Sequence, residues 1–331
     1  MDLISVIIIN WNNASYLERC INSVLNQTYK NLEIIFIDNA SQDGSVDLVK
    51  TLFYDQVNIV KNKENLGYSK GANIGIQNTK GKYVLIMNPD IILETNFLSE
   101  LYYYSEQNYN IGGINGKYLK YDFQNNCKLD VIDSTGIVMH RTKRCLDRGQ
   151  GEKDTGQYEN IETIFGVCGA AAFYRREALE NIKIADEYFD EDFFAYKEDI
   201  DLSWRLNLVG YKCIYLPSAI CYHGRGFGGS KGGIKKYISN RKSQADFLKQ
   251  LSYRNHHLML IKNITPSIYI KDFFHIWVWI ILYFIYSVIL EKNNIKMIKE
   301  IIKMKHEMKE KNSVIKKKIS YKKEFKETIC K

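Results

Sequence analysis

An α/β fold, with a mostly parallel central sheet flanked by helices, is predicted by two features of the first 110 residues. Apolar runs of strand length alternate with stretches of helical period, in the order βαβαβαβ. The runs themselves lack polar alternation, as in residues 83–87, Tyr-Val-Leu-Ile-Met, which suits strands covered on both faces.

Residues 3–9 read as the first strand. Residues 16–25 follow as a helix, with Leu17, Cys20, Ile21, Val24 and Leu25 at helical spacing and Asn13 or Ser15 as its cap. A second strand covers 32–37, and a second helix, 46–53, is entered through Ser41, Gln42, Asp43, Gly44 and Ser45. A short third strand at 57–60, a helical set at 70–78 and the strand at 83–87 complete the alternation, which implies right-handed crossovers. Pro89 stops the last strand because proline cannot donate to a ladder.

From about 112 to 165 the rhythm is lost, and the region reads as short strands and loops of an antiparallel extension. Order returns at 165–174, followed by a helix from Arg176, an acidic segment, and a helical run over 198–208 closed by Gly210. A further strand covers 212–216, and residues 224–233 hold six glycines. The expected organisation is one α/β domain over 1–230, a helical connector over 231–270, and an apolar helix with a basic tail over 271–331.

The net charge of +8 is concentrated at one end: from residue 292 onward there are fourteen lysines against five glutamates, so the rest is close to neutral. Residues 273–290 carry no formal charge apart from His275, and Trp277, Trp279, Tyr283 and Tyr286 lie within them. Eighteen residues is the lower limit for a spanning helix, and amphipathic rings favour the membrane interface. A span, an interfacial or re-entrant helix, and a buried soluble helix all fit. The lysines beyond suit attachment to an anionic surface at the cytoplasmic face. Residues 1–4 pass directly into a strand pattern with neither basic lead nor cleavage site, so no signal peptide is expected. Seven scattered cysteines without a Cys-x-x-Cys pair fit reduced thiols rather than a disulfide framework.

Candidate chemistry gathers where strands end, since open α/β sheets place their ligand crevice at the carboxyl edge. Asp90, after Asn88 and Pro89, is a candidate ligand for a divalent cation, or else part of an ordinary turn. The first strand ends in Ile9, Asn10 and Trp11, and the second in Asp38 and Asn39, so adjacent parallel strands bring an aromatic face beside a carboxylate. A nucleoside suits that pair, the ring stacking on a base and the carboxylate accepting from a base or ribose; a turn cap is the rival role for Asp38. Gly67, Gly71, Asn73 and Gly75 allow either close approach of a ligand or tight packing of a helix on the sheet. Glu198 and Asp199 open a helix, where the dipole favours negative charge, and one of them is a candidate general base. His223 follows a strand and is a candidate partner of Asp90 on manganese or magnesium, while Arg225 and Lys231 are candidates to clamp a diphosphate. No glycine-rich dinucleotide fingerprint follows the first strand and no Walker loop is present, which disfavours a nicotinamide dehydrogenase and an ATPase of that kind.

Together VIIINWNN, IDNASQDGS, NLGYSKGANIG, MNPD, GVCGAAAFYRR, YKEDIDLSWRL and LPSAICYHG resemble a family 2 glycosyltransferase, nearest its bacterial rhamnosyltransferase-like branch, over about residues 3–265. The resemblance implies an A-type glycosyltransferase fold, a hexosyltransferase-type reaction inverting the anomeric carbon, and a nucleoside diphosphate sugar donor held with Mn2+ or Mg2+. Trp11 and Asp38 then hold the nucleoside, with Ile9, Asn39, Gly67 and Asn73 around the donor. Asn88 and Arg225 add further donor contacts. Asp90 and His223 hold metal and diphosphate, and Asp199 is the base with Glu198 beside it. One departure is Asn88-Pro89-Asp90 where the family more often has Asp-x-Asp. A single carboxylate leaves more of the coordination to His223 and water. The expected acceptor is a glycan or lipid-linked glycan in surface polysaccharide synthesis, with no nucleic-acid partner. A non-catalytic scaffolding subunit and a nucleotidyltransferase are the competing classes; the latter normally has a basic glycine-rich loop where this chain has INWNN.

Overall fold

The computed structural model describes residues 1–224 and 245–319. Strands β1 (Ile4–Asn10), β2 (Leu32–Asp38), β3 (Asn58–Lys61) and β4 (Tyr83–Met87) alternate with helices α1 (Ala14–Leu25), α2 (Ser45–Phe53) and α3 (Gly67–Gln77). They are followed by β5 (Ile91–Leu93), α4 (Phe97–Gln107), β6 (Ile111–Asp122), β7 (Cys127–Ser134), β8 (Ile137–Met139), β9 (Cys145–Asp147), β10 (Glu162–Ile164) and β11 (Ala171–Arg175). Helices α5 (Arg176–Ile182) and α6 (Glu198–Val209), strand β12 (Lys212–His223), and helices α7 (Asp246–Asn263), α8 (Pro266–Leu290) and α9 (Met297–Lys318) follow among the described residues.

The main sheet runs β10-β12-β6-β11-β4-β1-β2-β3, with β5 beside β12 and β7 beside β6, while β8 and β9 form a separate hairpin. The half from β4 through β1 and β2 to β3 is parallel, as the alternation predicts. Strand β11 enters antiparallel to both β4 and β6. Two cores form because successive side chains of a strand point to opposite faces. Val6 and Ile8 pack with Leu17, Cys20 and Ile21 on one face. Ile7 and Ile9 pack with Ala72 and Ile76 on the other. A one-residue slip of β1 would exchange the two sets, so its register is firmly specified. Glycine sets the spacing of α3 over β1: a Cβ at Gly75 would stand 2.4 Å from Cγ2 of Ile7.

One expectation needs correction. Residues 111–122 are not part of an appended extension but a long strand inside the main sheet, parallel to β12. Its sequence, IGGINGKYLKYD, hides this because close neighbours, rather than apolar side chains, fill its surroundings. A Cβ at Gly116 would lie 2.3 Å from the Ala219 carbonyl oxygen, and the nearly buried Lys117 is neutralised by Asp154 and Glu159. The antiparallel part of that region is real in β7 and in the β8–β9 hairpin.

Helix α9 lies along α7, burying Met308, Asn312 and Ile315. Lys262 of α7 and Lys311 of α9 reach into the α/β domain and pair with Asp190. Helix α8 begins earlier than the apolar run suggests, with Pro266 in its first turn and the Thr265 side chain accepting from the Ile268 amide.

Candidate functional site

The site is built at the carboxyl edge of the sheet. Ala171 of β11 lies opposite Met87 of β4, so the segment 168–170 faces residues 88–90, and the Asn88 amide donates to the Ala170 carbonyl at 2.9 Å. His223 ends β12 opposite Ile91 of β5, which places it next to Asp90. Helix α6 starts at the same rim. An open cleft of about 620 Å³ joins these parts, lined by Asn88, Asp90, Glu198, Asp199 and His223 among others.

His223 is fixed from behind: its Nδ1 lies 2.7 Å from Oδ2 of buried Asp133, and Nε2 is turned to Oδ2 of Asp90 at 3.4 Å. Burial works against protonation, but the Asp90 charge and the hydrogen bond to Asp133 outweigh it and raise the imidazole pKa to about 9. A carboxylate behind a histidine whose other nitrogen points at a second carboxylate is a usual arrangement of metal-binding histidines. Without metal the imidazolium bridges the two carboxylates; a divalent cation would displace the Nε2 proton, be held by that nitrogen and Asp90, and take its remaining ligands from diphosphate oxygens and water. Among the described residues no group of three or more candidate ligands occurs.

Asp199 is held by two backbone amides, Gly169 N–H at 3.2 Å to Oδ2 and Ile200 N–H at 2.8 Å to Oδ1. Burial raises its pKa, those amides oppose the rise, and the charge of Asp147 across the cleft adds to it. Glu198 is 8% exposed, and its Oε2 makes no hydrogen bond among the described residues. Burial and then the neighbouring Asp199 charge push its pKa well above the carboxylate range. The two environments differ: burial and the Asp199 charge push Glu198 well upward, whereas two amide donors oppose the rise at Asp199.

Other expected residues fall elsewhere. Trp11 is 54% exposed just past β1, and Asp38 ends β2 beside Asn10, as adjacent strands require. Both Asp38 oxygens are engaged, Oδ1 by Asn10 Nδ2 and Oδ2 by the Ser41 amide, which is the turn-cap geometry. Asn39 bonds the Gly67 carbonyl and accepts from Asn62, and Ile9 is buried in the core against α3. Neither Gly67 nor Asn73 lines the cleft. Gly67 has φ +77° and a Cβ there would meet the Phe194 carbonyl at 2.5 Å, so its need is backbone packing. Asn73 is buried and consumed by the segment 188–191, donating to the Phe189 carbonyl and accepting from the Tyr188 and Phe189 amides. Such an internal tie leaves it no ligand to hold. Arg225 and Lys231 lie outside the described residues.

Sequence reasoning missed Tyr68, Asp133, Asp147 and Gly169. Tyr68 donates to the Gly169 carbonyl at 2.7 Å and lines the cleft. Asp133 and Asp147 belong to the region that lacked a readable pattern. For Gly169 the signal was available in the Val-Cys-Gly-Ala run directly before β11.

The α/β sheet thus presents an oriented histidine–carboxylate pair and two adjacent acids at its carboxyl edge, an arrangement suited to a group-transfer enzyme. Residues 5–183 match Glycosyl transferase family 2, and this chain belongs to that family. An uncharacterized glycosyltransferase of Haemophilus influenzae is 25% identical over 283 residues, covering 83% of this chain and 81% of the relative. The poly-β-1,6-N-acetyl-D-glucosamine synthase of Staphylococcus epidermidis is 24% identical over 66% of this chain, which spans 49% of that synthase's length. Among solved structures, the mannosyltransferase PcManGT from Pyrobaculum calidifontis, in complex with GDP-Man and Mn2+, aligns with TM-score 0.53 at 15% identity over 96% of this chain and 86% of its own. The A-type glycosyltransferase fold expected from the resemblance is thus the fold observed.

Proposed function

We propose that the protein transfers a sugar from a nucleoside diphosphate donor to a hydroxyl of a glycan or lipid-linked acceptor, with inversion, in bacterial surface polysaccharide synthesis. The observation that carries this reading is the single cleft holding Asp199, with its amide donors, together with the oriented His223–Asp90 pair. Asp199 accepts the proton of the acceptor hydroxyl as its oxygen attacks the anomeric carbon. Glu198, protonated beside it, keeps a second negative charge away from the incoming hydroxyl. Asp90 and His223 face the diphosphate, and the exposed Trp11 ring stacks on the base. A divalent cation held by Asp90 and His223 would supply charge neutralisation for the departing diphosphate. Rhamnose is the sugar that the motif resemblance favours; the polysaccharide setting is supported by the name of the synthase relative.

The same reading places the enzyme at the cytoplasmic face of a membrane, through α8. Asp272, Ile276, Tyr283 and Ser287 form one buried stripe on the protein. Ile270, Phe274, Ile281, Ile285 and Ile289, on the other side, are exposed. Buried Asp272 is paired with Lys143 at 2.7 Å and Arg141 at 2.8 Å. A helix held to the rest of the protein along that stripe fits the interfacial plane better than a span.

The test is a panel of nucleotide sugars assayed for nucleoside diphosphate release, with and without Mn2+ or Mg2+, against an acceptor lipid extract. Asp199→Asn should lose transfer by about 10²-fold or more while still binding the nucleotide. Turnover near that of the parent would refute the base assignment.

A further inference from the structure

The turn that delivers Glu198 and Asp199 is strained and is clamped by a side chain from the C-terminal helices. Between the short helical turn Glu191–Phe193 and α6, three residues other than glycine have positive φ: Phe194 (+61°), Tyr196 (+69°) and Lys197 (+75°). Phe194 combines its φ with ψ −66°, and the Ala195 amide donates to the Phe193 carbonyl at 2.6 Å, which is a γ-turn of the rare positive-φ kind. Side chains disfavour each of these conformations, so surrounding contacts must impose them.

Asn255 supplies those contacts. It lies on α7, fully buried, and its Nδ2 is within 2.8 Å of the Phe193 carbonyl, 2.9 Å of Ala195 and 2.8 Å of Tyr196. Its Oδ1 accepts from Arg254 Nε at 3.0 Å, and Arg254 in turn donates to the Asp192 carbonyl at 2.6 Å. On the far side of the turn, the Phe194 carbonyl accepts from the Ser69 amide at 3.1 Å. Two helical turns beyond Asn255 on α7, Lys262 bonds Asp201 at 2.9 Å and Asn263 bonds it at 2.7 Å, in the first turn of α6. Helix α7 thus grips both the turn before the two acids and the helix after them.

We propose that Asn255 is a positioning residue for Glu198 and Asp199, which makes α7 a component of the active site rather than only a link to the apolar helix. Three carbonyls gathered on one amide hold the turn in a conformation that its own residues disfavour. That conformation sets how Asp199 meets the Gly169 amide. The proposal rests on the reading of Asp199 as the base.

The experiment uses the full chain with Asn255→Ala and Asn255→Gln, beside Asp199→Asn as reference. Folding is checked by circular dichroism, nucleoside diphosphate affinity by calorimetry, and kcat and KM across pH. For Asn255→Ala the expected result is kcat lower by about 10- to 100-fold, since misplacement near 1 Å carries such a cost, with nucleotide affinity within about twofold. The acid limb of its pH profile should move, because the hydrogen bond from Gly169 to Asp199 is altered. Asn255→Gln, which keeps the amide, should recover part of the loss. Unchanged kcat and pH profile in folded Asn255→Ala would overturn the proposal, as would an equal loss of nucleotide affinity. If Asn255→Ala does not fold, Asn255→Ser, which cannot reach the three carbonyls, decides by the same criteria: lowered kcat with retained affinity supports the clamp, and unchanged kcat overturns it. Full turnover of Asp199→Asn would instead identify the base reading as the part in error.

Discussion

The Asp133 carboxylate lies 2.7 Å from Nδ1 of His223, on the side of the ring away from Asp90. This contact decides which nitrogen faces the cleft. With Nδ1 engaged, only Nε2 is presented beside Asp90, and a ligand there meets one oxygen and one nitrogen donor in fixed relation. Asp133→Asn should therefore weaken Mn2+ binding in the presence of nucleoside diphosphate by about 10- to 100-fold, the usual effect of losing such a partner. Calorimetric titration of Mn2+ checks it. Nucleotide affinity measured without the metal should stay close to that of the parent, and a parallel fall in both would mean that Asp133 acts on the fold.

Two adjacent acids in unlike surroundings should respond differently to the same substitution. Glu198, protonated through burial and the Asp199 charge, is mimicked by a neutral amide, so Glu198→Gln should keep turnover within about tenfold. Asp199→Asn removes the base. Because burial raises the Asp199 pKa, and the base works only when deprotonated, kcat/KM should fall on the acid side at a pH above the ordinary carboxylate range. A pH profile with an acid limb at or below that range would contradict the assignment. Equal inactivation by both substitutions would reassign the base.

How much of this was legible in the sequence depends on what each residue contacts. The parallel half of the sheet was readable because β1, β2 and β4 bury both faces and so show unbroken apolar runs. Strand β6 was not, since its glycines answer to neighbouring backbone and side chains and its buried Lys117 answers to two acids distant in sequence. Asp90, Asp199 and His223 were readable from their position at strand or helix ends. Asn73 misled because an amide that ties two internal segments has the same composition as one that binds a ligand. Asn255 carried no local signal: its partners lie about sixty positions earlier, and a polar residue inside an otherwise ordinary helical stretch announces nothing.

The join between α7 and the α/β domain is an ionic cluster with almost no exposure. Lys262 is fully buried, 2.6 Å from Asp190 and 2.9 Å from Asp201, and Asp201 also holds Arg205 at 2.9 Å. Removing one partner of such a cluster leaves buried charge uncompensated, so Lys262→Met should cost about 3–5 kcal/mol in urea unfolding at neutral pH. Burial alone would raise the Asp190 pKa, but the Lys262 and Lys311 charges reverse this and hold it well below the usual carboxylate range. A depressed folded pKa stabilises above the unfolded value and loses that contribution as pH falls through the folded one. With Lys262 gone the Asp190 pKa rises, so the stability gap between parent and variant should be full at neutral pH and narrow as pH falls through the carboxylate range. A gap that closes near neutral pH would point to another group.

Helix α8 offers the last test, because a spanning helix and an in-plane helix expose their ends differently. The helix has 25 residues and enough apolar character to cross a bilayer, yet Asp272 near one end pairs with Lys143 and Arg141 of the domain, and Ser287 near the other is buried beside Asn294. Crossing over 273–290 would strip Ile276 and Tyr283 from the side that buries them and set the Lys143–Asp272 pair at the membrane edge. Lying flat needs neither, and it turns the Phe274 and Ile281 side to the acyl chains, with the lysines that follow 292 near anionic headgroups. Phe274→Glu with Ile281→Glu should abolish flotation with phosphatidylglycerol vesicles while leaving the melting temperature near the parent's, since both side chains are exposed. With Cys127 and Cys330 replaced by serine, single cysteines introduced at Ser267 and Lys292 should both react with an impermeant maleimide added outside protein-bound vesicles. Protection of one end alone would establish a span, because an in-plane helix leaves its two ends on the same side of the membrane.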